Sequence, residues 1–144
     1  MALGTTISAV KLLVKIGDGG SPEVFSAPAG IKTKGLQMSL STGTSTVPDK
    51  DNPEVNPAWD LTIGKALSQT ITGSGVLEAE DFATWNNWWL SGAAKNCQIK
   101  LDQVNFGTYS GSYYLTDFKL TGSGPGDNVN FDATMKNAGP VTFA

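Results

Sequence analysis

The chain has 144 residues, which is the length of one domain with a single core. Ten lysines stand against 13 acidic residues, giving a formal charge of −3, and the sequence contains no arginine and no histidine. This composition argues against sequence-specific DNA binding through arginine forks and against histidine-based acid–base or metal chemistry. Cys97 is the only cysteine, so an internal disulfide and a cysteine zinc cluster are excluded.

The amino-terminal segment "MALGTTISAVKLLVKIG" does not resemble a secretory signal, because it lacks a basic start and Lys11 and Lys15 interrupt its apolar part. No apolar run approaches the roughly 20 residues needed to span a bilayer. We therefore expect no membrane insertion, and we expect the protein to be made and kept in the cytoplasm until it assembles.

The first predicted elements form a hairpin. Residues 10–16 read as a strand, "GDGGSP" at 17–22 is a strong turn signal, and residues 23–26 read as a short second strand. Frequent Gly, Thr and Val in short segments favour a mainly β fold along the rest of the chain.

The next strand, residues 35–41, has two different faces. Leu36, Met38 and Leu40 alternate with Gln37 and Ser39. Since side chains in a strand point alternately to its two faces, we predict a core face and a small polar face.

A long segment without periodicity follows, "STGTSTVPDKDNPEVNPAW" at 41–59. An unstructured loop of this length is uncommon inside a compact domain and is usually functional or disordered. Its three prolines restrict their own φ and push the preceding residues toward extended geometry, so we predict an extended arm. Asp49, Asp51 and Glu54 faintly resemble a calcium loop, but the glycine and the bidentate glutamate of such loops are missing and Pro53 intervenes.

After the arm, residues 66–76 alternate again. Thr70 and Thr72 lie with other small polar residues opposite Ile71. The strands on both sides of the arm therefore carry a polar face.

One helix is predicted, over "EDFATWNNWWLSG", with acidic residues at its start and a glycine at its end. At about 100° per residue, Phe82, Trp85 and Trp89 share one face, which we predict to be core. Trp88 falls to the side of this stripe and is a candidate for contact with another subunit.

Three further strands are predicted towards the carboxyl end. In residues 113–121, strict alternation groups Asp117 with Tyr113 and Leu115; in the last long strand, Phe131 points inward and Asp132 outward. Roughly seven strands and one helix indicate a β-sandwich or curled antiparallel sheet with a flanking helix.

No group of residues predicts an enzyme. Glu78 and Glu80 lie at the helix start, where acidic residues are expected in any case. The glycine-rich segments lack the lysine and the strand-to-helix context of phosphate loops. We predict no catalytic residues, no cofactor and no metal.

Three motifs in order carry a family resemblance: "ITGSGVL" at 71–77, "GSYYLTDFKLTG" at 111–122 after the helix, and "NAGPVTF" at 137–143. Their order and spacing resemble the major tail tube proteins of long-tailed (siphovirus-type) bacteriophages and related gene transfer particles. The resemblance implies a single tail-tube domain over residues 1–144. It further implies hexameric rings that stack into a DNA conduit in the virion tail, with subunit strands joining into an inner β-barrel.

The resemblance also implies partners and roles. The partners are other copies of the chain, a tape-measure protein, a tail terminator and genome DNA that passes without sequence-specific binding. The arm at 41–59 would reach from ring to ring through Thr44, Pro48, Asp49, Lys50, Asp51, Pro53 and Glu54. The residues expected to face the lumen are Gln37, Ser39, Thr70, Thr72, Asp117 and Asp132. A polar, net acidic wall would let DNA slide, because fixed cations add salt-sensitive attraction to phosphate.

Two alternatives remain open at this point. A carbohydrate-binding β-sandwich would use the tryptophans as stacking platforms, although three of the four lie on the helix and two of these along its predicted core face. A secreted injection-tube protein of related fold is the other alternative.

Overall fold

The structure is a computed structural model that describes residues 3–4, 6–8, 11–28, 30–54, 57–101, 107–122 and 124–144. The strands and the helix in this part of the chain are β1 Leu12–Gly17, β2 Phe25–Ser26, β3 Ile31–Val47, β4 Trp59–Val76, α1 Ala79–Ser91, β5 Lys95–Leu101, β6 Thr108–Thr121, β7 Asn130–Asn137 and β8 Thr142–Phe143. The prediction of a mainly β protein with one helix is confirmed.

The chain divides into two compact units. Residues 1–36 and 70–144 form the first, called here the main unit, and residues 37–69 form the second, called the hairpin unit.

The strands are ordered β2-β1-β5-β6-β7-β4-β3, and β8 lies beside β6. β6 changes neighbours along its length, since residues up to Tyr113 pair with β5 and residues from Tyr113 onward pair with β7. In the described part of the chain, the edge of β6 opposite β7 therefore has no strand partner beyond Tyr113.

A β-bulge in β6 changes which side chains face the core. Leu115 pairs with Met135 and Asp117 with Thr134, so Thr116 is an extra residue. Its hydroxyl donates to the Thr134 carbonyl at 3.0 Å. Because an inserted residue reverses the alternation, Asp117 lies on the face opposite Leu115, and the grouping predicted by strict alternation is wrong.

The core of the main unit joins the sheet to the helix. The Trp85 ring lies 5.5 Å from Phe118 and 5.7 Å from Phe131, measured between ring centroids. The buried apolar residues are Val14, Ile16, Ile71, Trp85, Trp88, Cys97, Ile99, Tyr113, Leu115, Phe131, Ala133 and Met135. Burying such side chains is the main favourable term in folding.

The helix buries a different face from the one predicted. Trp85 and Trp88 are each 1% exposed, whereas Phe82 is 40% and Trp89 57% exposed. The core assignment of Phe82 and Trp89 is wrong, and so is the placement of Trp88 on the subunit surface. The reason is that the four aromatic residues span an arc of about 120° on the helix. The sheet covers only the edge of that arc formed by Trp85 and Trp88. In addition, the Trp88 indole N–H donates a hydrogen bond to the Ala93 carbonyl at 2.9 Å.

Strands occupy much of the predicted arm. β3 continues to Val47 and β4 begins at Trp59, so the connection is residues 48–58 rather than 41–59. At the start of this connection, the Asp49 carboxylate accepts hydrogen bonds from the N–H groups of Asp51 at 2.9 Å and Asn52 at 3.1 Å. Such Asx turns are a standard way of reversing the chain.

Candidate functional site

One face of β4, β6 and β7 in the main unit is polar, and the strand register defines it. Thr134 lies opposite Thr72 on one side and Asp117 on the other. Asp132 lies between Ser74 and Lys119, and Lys136 between Thr70 and Tyr114. We call these nine residues the polar face. The other side of the same strands carries the core residues Ile71, Met135 and Leu115, which are buried.

The polar face brings together four of the six residues that the sequence proposed for a channel wall, namely Thr70, Thr72, Asp117 and Asp132. The other two, Gln37 and Ser39, belong to the hairpin unit, where both are exposed.

Two lysines lie on the same face and were not among the residues proposed for the wall. Lys119 lies directly across from Asp132, and Lys136 follows two residues after Thr134. The two lysines balance Asp117 and Asp132, so the polar face has no net formal charge at pH 7. The alternation of the last strand marks Lys136 as outward-facing. Alternation also groups Lys119 with Asp117, but only the bulge puts both on the face opposite Leu115.

The hairpin unit has two distinct faces. A Cβ on Gly64 would lie 3.4 Å from Leu40, and a Cβ on Gly43 would lie 2.5 Å from the Lys65 side chain. Leu40 and Lys65 therefore lie on opposite faces. Alternation along β4 places Trp59, Leu61 and Ile63 with Lys65, and we call these four residues the apolar stripe.

The hairpin exposes side chains that were expected to be core. Met38 and Leu40 are both more than half exposed, so their predicted core face is not buried within this chain. The proposed arm residues are exposed as well: Thr44 in β3, and Pro48, Asp49, Lys50, Asp51, Pro53 and Glu54 in the connection.

Helix α1 presents a second apolar surface. Phe82 and Trp89 lie on its exposed side, and Glu78 precedes the first turn. Gly92 ends the helix in the left-handed conformation, at φ 63°, and its N–H reaches the Trp89 carbonyl. We call Glu78, Phe82 and Trp89 the helix strip.

Two titratable side chains, Cys97 and Tyr113, are buried in the core. Burial raises the pKa of the Cys97 thiol to about 12 and that of Tyr113 to about 12. A thiol that stays protonated at neutral pH is a poor nucleophile. Among the described residues, no group of three or more His, Cys, Asp or Glu side chains could hold a metal ion.

The residues that the structure describes contain no helix long and apolar enough to cross a membrane.

Comparison with known proteins decides the family. The family model described as phage tail tube protein matches residues 6–143. This chain belongs to that family. The predicted recognition is confirmed: the protein is a structural component of a virion tail tube and not an enzyme, and nothing found favours the carbohydrate-binding alternative.

Solved structures of virion, tail and injection-system assemblies contain chains with the same fold. The native gene transfer agent virion contains a chain 20% identical to this tail tube protein, with a TM-score of 0.77, and the match covers 96% of this chain and 99% of that one. The C6-symmetric tail of the empty gene transfer agent particle matches with 21% identity, a TM-score of 0.78 and the same coverage. The sheath–tube complex of an extracellular contractile injection system matches with 14% identity, a TM-score of 0.60, and coverage of 96% and 91%. No curated protein sequence matches this chain.

Proposed function

We propose that the whole chain, residues 1–144, acts as one tail-tube subunit, that six subunits form a ring, and that stacked rings form the conduit through which DNA enters the host. The observation that carries this proposal is the polar face of β6, β7 and β4, which lies on the side away from the core. The C6 symmetry of a tail with the same fold supports the ring of six.

Ring closure follows from the strand edges. Beyond Tyr113, the edge of β6 opposite β7 is unpaired in the described residues, and β3 ends the strand order on the other side. Unpaired edges are templates for pairing with another chain. We assign the β6 edge of one copy to β3 of the next, which closes an inner barrel and covers both of these edges.

In this arrangement the polar face lines the lumen. Gln37 and Ser39, which were also expected there, fall by alternation on the side of the hairpin that carries Lys65, and we do not assign them to the wall. Lys119 opposite Asp132 leaves little net charge for a phosphate backbone to meet. Because the salt-dependent attraction of DNA grows with the number of phosphates neutralised, a wall of balanced charge lets DNA slide.

The hairpin connection reaches the neighbouring ring. Its prolines, Pro48, Pro53 and Pro57, restrict the free segment, so that less order is lost on docking. Thr44, Asp49, Lys50, Asp51 and Glu54 would provide polar contacts at the edge of the ring interface, each with a small effect on affinity.

The remaining partners follow from the family. A tape-measure protein would occupy the lumen during assembly, a tail terminator would end the tube, and genome DNA would pass without sequence-specific contacts. Subunits would assemble in the host cytoplasm.

The test is a concentration series of the purified chain, followed by analytical ultracentrifugation and negative-stain electron microscopy. We expect species that grow into rings and tubes as concentration rises. A chain that stays monomeric at millimolar concentration would contradict the proposal.

A further inference from the structure

The apolar stripe of the hairpin has no cover within its own unit. Trp59 is 87% exposed, and Leu61 and Ile63 are each more than half exposed. A row of large apolar side chains along an exposed hairpin is unusual for a free surface and is typical of an interaction site. Lys65 continues this row, with its side chain lying over Gly43.

The helix strip is the second uncovered apolar surface of the chain. Phe82 and Trp89 lie outside the core, while their neighbours Trp85 and Trp88 fill it. Tryptophan and phenylalanine are enriched at the centres of protein interfaces. Glu78, at the start of the strip, is exposed and has no side-chain capping bond.

The two surfaces match in spacing and charge. Along the helix, Phe82 lies about 6 Å from Glu78 and Trp89 about 10 Å further. Along the strand, Ile63 lies about 7 Å from Lys65 and Trp59 about 13 Å further, with Leu61 between them. Each series therefore runs from a charged residue to apolar residues over a similar length, and the charges are opposite.

We propose that the apolar stripe of one copy packs along the helix strip of a second copy, with Lys65 facing Glu78. A second copy is the occupant because every chain carries both surfaces and because a stripe-to-helix contact between copies is heterologous, so that it repeats from subunit to subunit. This inference rests on the proposed tube and names the surface on which the hairpin docks.

Charge reversal tests the polar end of the contact. Lys65→Glu should raise the critical concentration for tube formation about fivefold or more, since it places two acids in contact. Adding Glu78→Lys should restore assembly. The matched control is Lys65→Glu with Glu80→Lys, which has the same net charge and a lysine in the same region of the helix but on another side. Equal rescue by both double variants, or no effect of Lys65→Glu, would overturn the pairing.

Disulfide trapping tests the apolar end. Chains with Ile63→Cys and chains with Phe82→Cys are mixed, assembled and oxidised, and Cys97 is kept because it is fully buried. We expect a covalent dimer on non-reducing gels. Thr62→Cys and Asn87→Cys lie on the opposite sides of the same elements and should give at least tenfold less dimer.

The outcomes separate the two proposals. Tubes that form normally without the Ile63–Phe82 dimer would overturn this inference and leave the tube standing. A chain that carries both Ile63→Cys and Phe82→Cys is the third sample. If this chain forms an intramolecular disulfide while the mixed single variants form no dimer, the hairpin packs on its own helix, and the inference is overturned. A chain that never assembles would contradict both proposals.

Discussion

The tryptophans of helix α1 have separable roles. Trp88 is buried against the core, so Trp88→Ala should lower the free energy of unfolding by about 3–5 kcal/mol. Trp89 is exposed, so Trp89→Ala should change that free energy by no more than about 0.5 kcal/mol while weakening assembly. Chemical denaturation at a concentration too low for assembly measures the first effect, and sedimentation measures the second. An equal loss of stability in the two variants would contradict this division.

The sequence located this helix well but not its buried face. An acidic start and a glycine stop are local signals, and the observed helix ends one residue before Gly92. The choice between Trp88 and Trp89 for the core is not local. It depends on which edge of a wide aromatic arc the sheet covers and on the hydrogen bond from Trp88 to Ala93.

Burial of two weak acids predicts a loss of stability at alkaline pH. Cys97 and Tyr113 have ordinary pKa values of 9.0 and 10.0, and burial raises both to about 12. At a pH between the ordinary and the raised pKa values, the unfolded chain loses protons that the folded chain keeps. The free energy of unfolding therefore falls as pH rises. We expect the Tm to fall from about pH 9 to about pH 12, and the fall to be smaller in Cys97→Ala. A Tm that is flat over this range would contradict the assignment.

At the scale of the element, β6 shows where a sequence pattern stops being informative. Alternation is a reliable guide in β7, where Phe131, Ala133 and Met135 are all buried. In β6 the extra residue Thr116 reverses the alternation, and nothing in "YYLTDFKL" marks its position. The placement of Asp117 and Lys119 on the face opposite Leu115 is therefore a property of the folded sheet.

The polar face predicts a defect in transport rather than in folding. Replacing Thr72 or Asp132 with Lys adds positive charge to a neutral surface, which should strengthen attraction to phosphate and slow DNA passage. Tubes should still form, since both positions face away from the core. DNA ejection from particles carrying each variant measures the effect, with Asn87→Lys on the exposed side of α1 as the control. Unchanged ejection in both lysine variants would remove this face from the lumen.

The hairpin connection predicts a defect in stacking. Replacing residues 48–58 with a short Asn-Gly turn should keep β3 and β4 paired, because loop-closure entropy changes slowly with length and this turn suits hairpins. The β circular dichroism and the thermal transition should be preserved while tubes become short. Tubes of normal length from this variant would show that the connection does not bridge rings.

At the scale of the whole molecule, the chain leaves surfaces incomplete that a second copy can complete. The main unit has a buried apolar core, and the N–H of Gly92 caps the carboxyl end of its helix. The second half of β6 nevertheless has one unpaired edge in the described residues. The hairpin unit leaves Trp59, Leu61 and Ile63 exposed. Strand content, the helix and the polar face of β4 were predictable from local patterns. The hairpin was not, because residues 41–47 are mostly serine, threonine and glycine and because the three prolines of residues 48–58 indicate an extended arm.

The central claim is that copies of this chain close into rings of six that stack into a tube with the polar face inside. Cryo-electron microscopy of tubes grown from the purified chain, with helical reconstruction, tests it most directly. The account predicts sixfold rings, a continuous inner β-barrel in which the second half of β6 pairs with β3 of the neighbouring copy, and Thr72, Asp117 and Asp132 on the lumen wall. A reconstruction with those three residues on the outer surface, or with β6 unpaired between subunits, would contradict it.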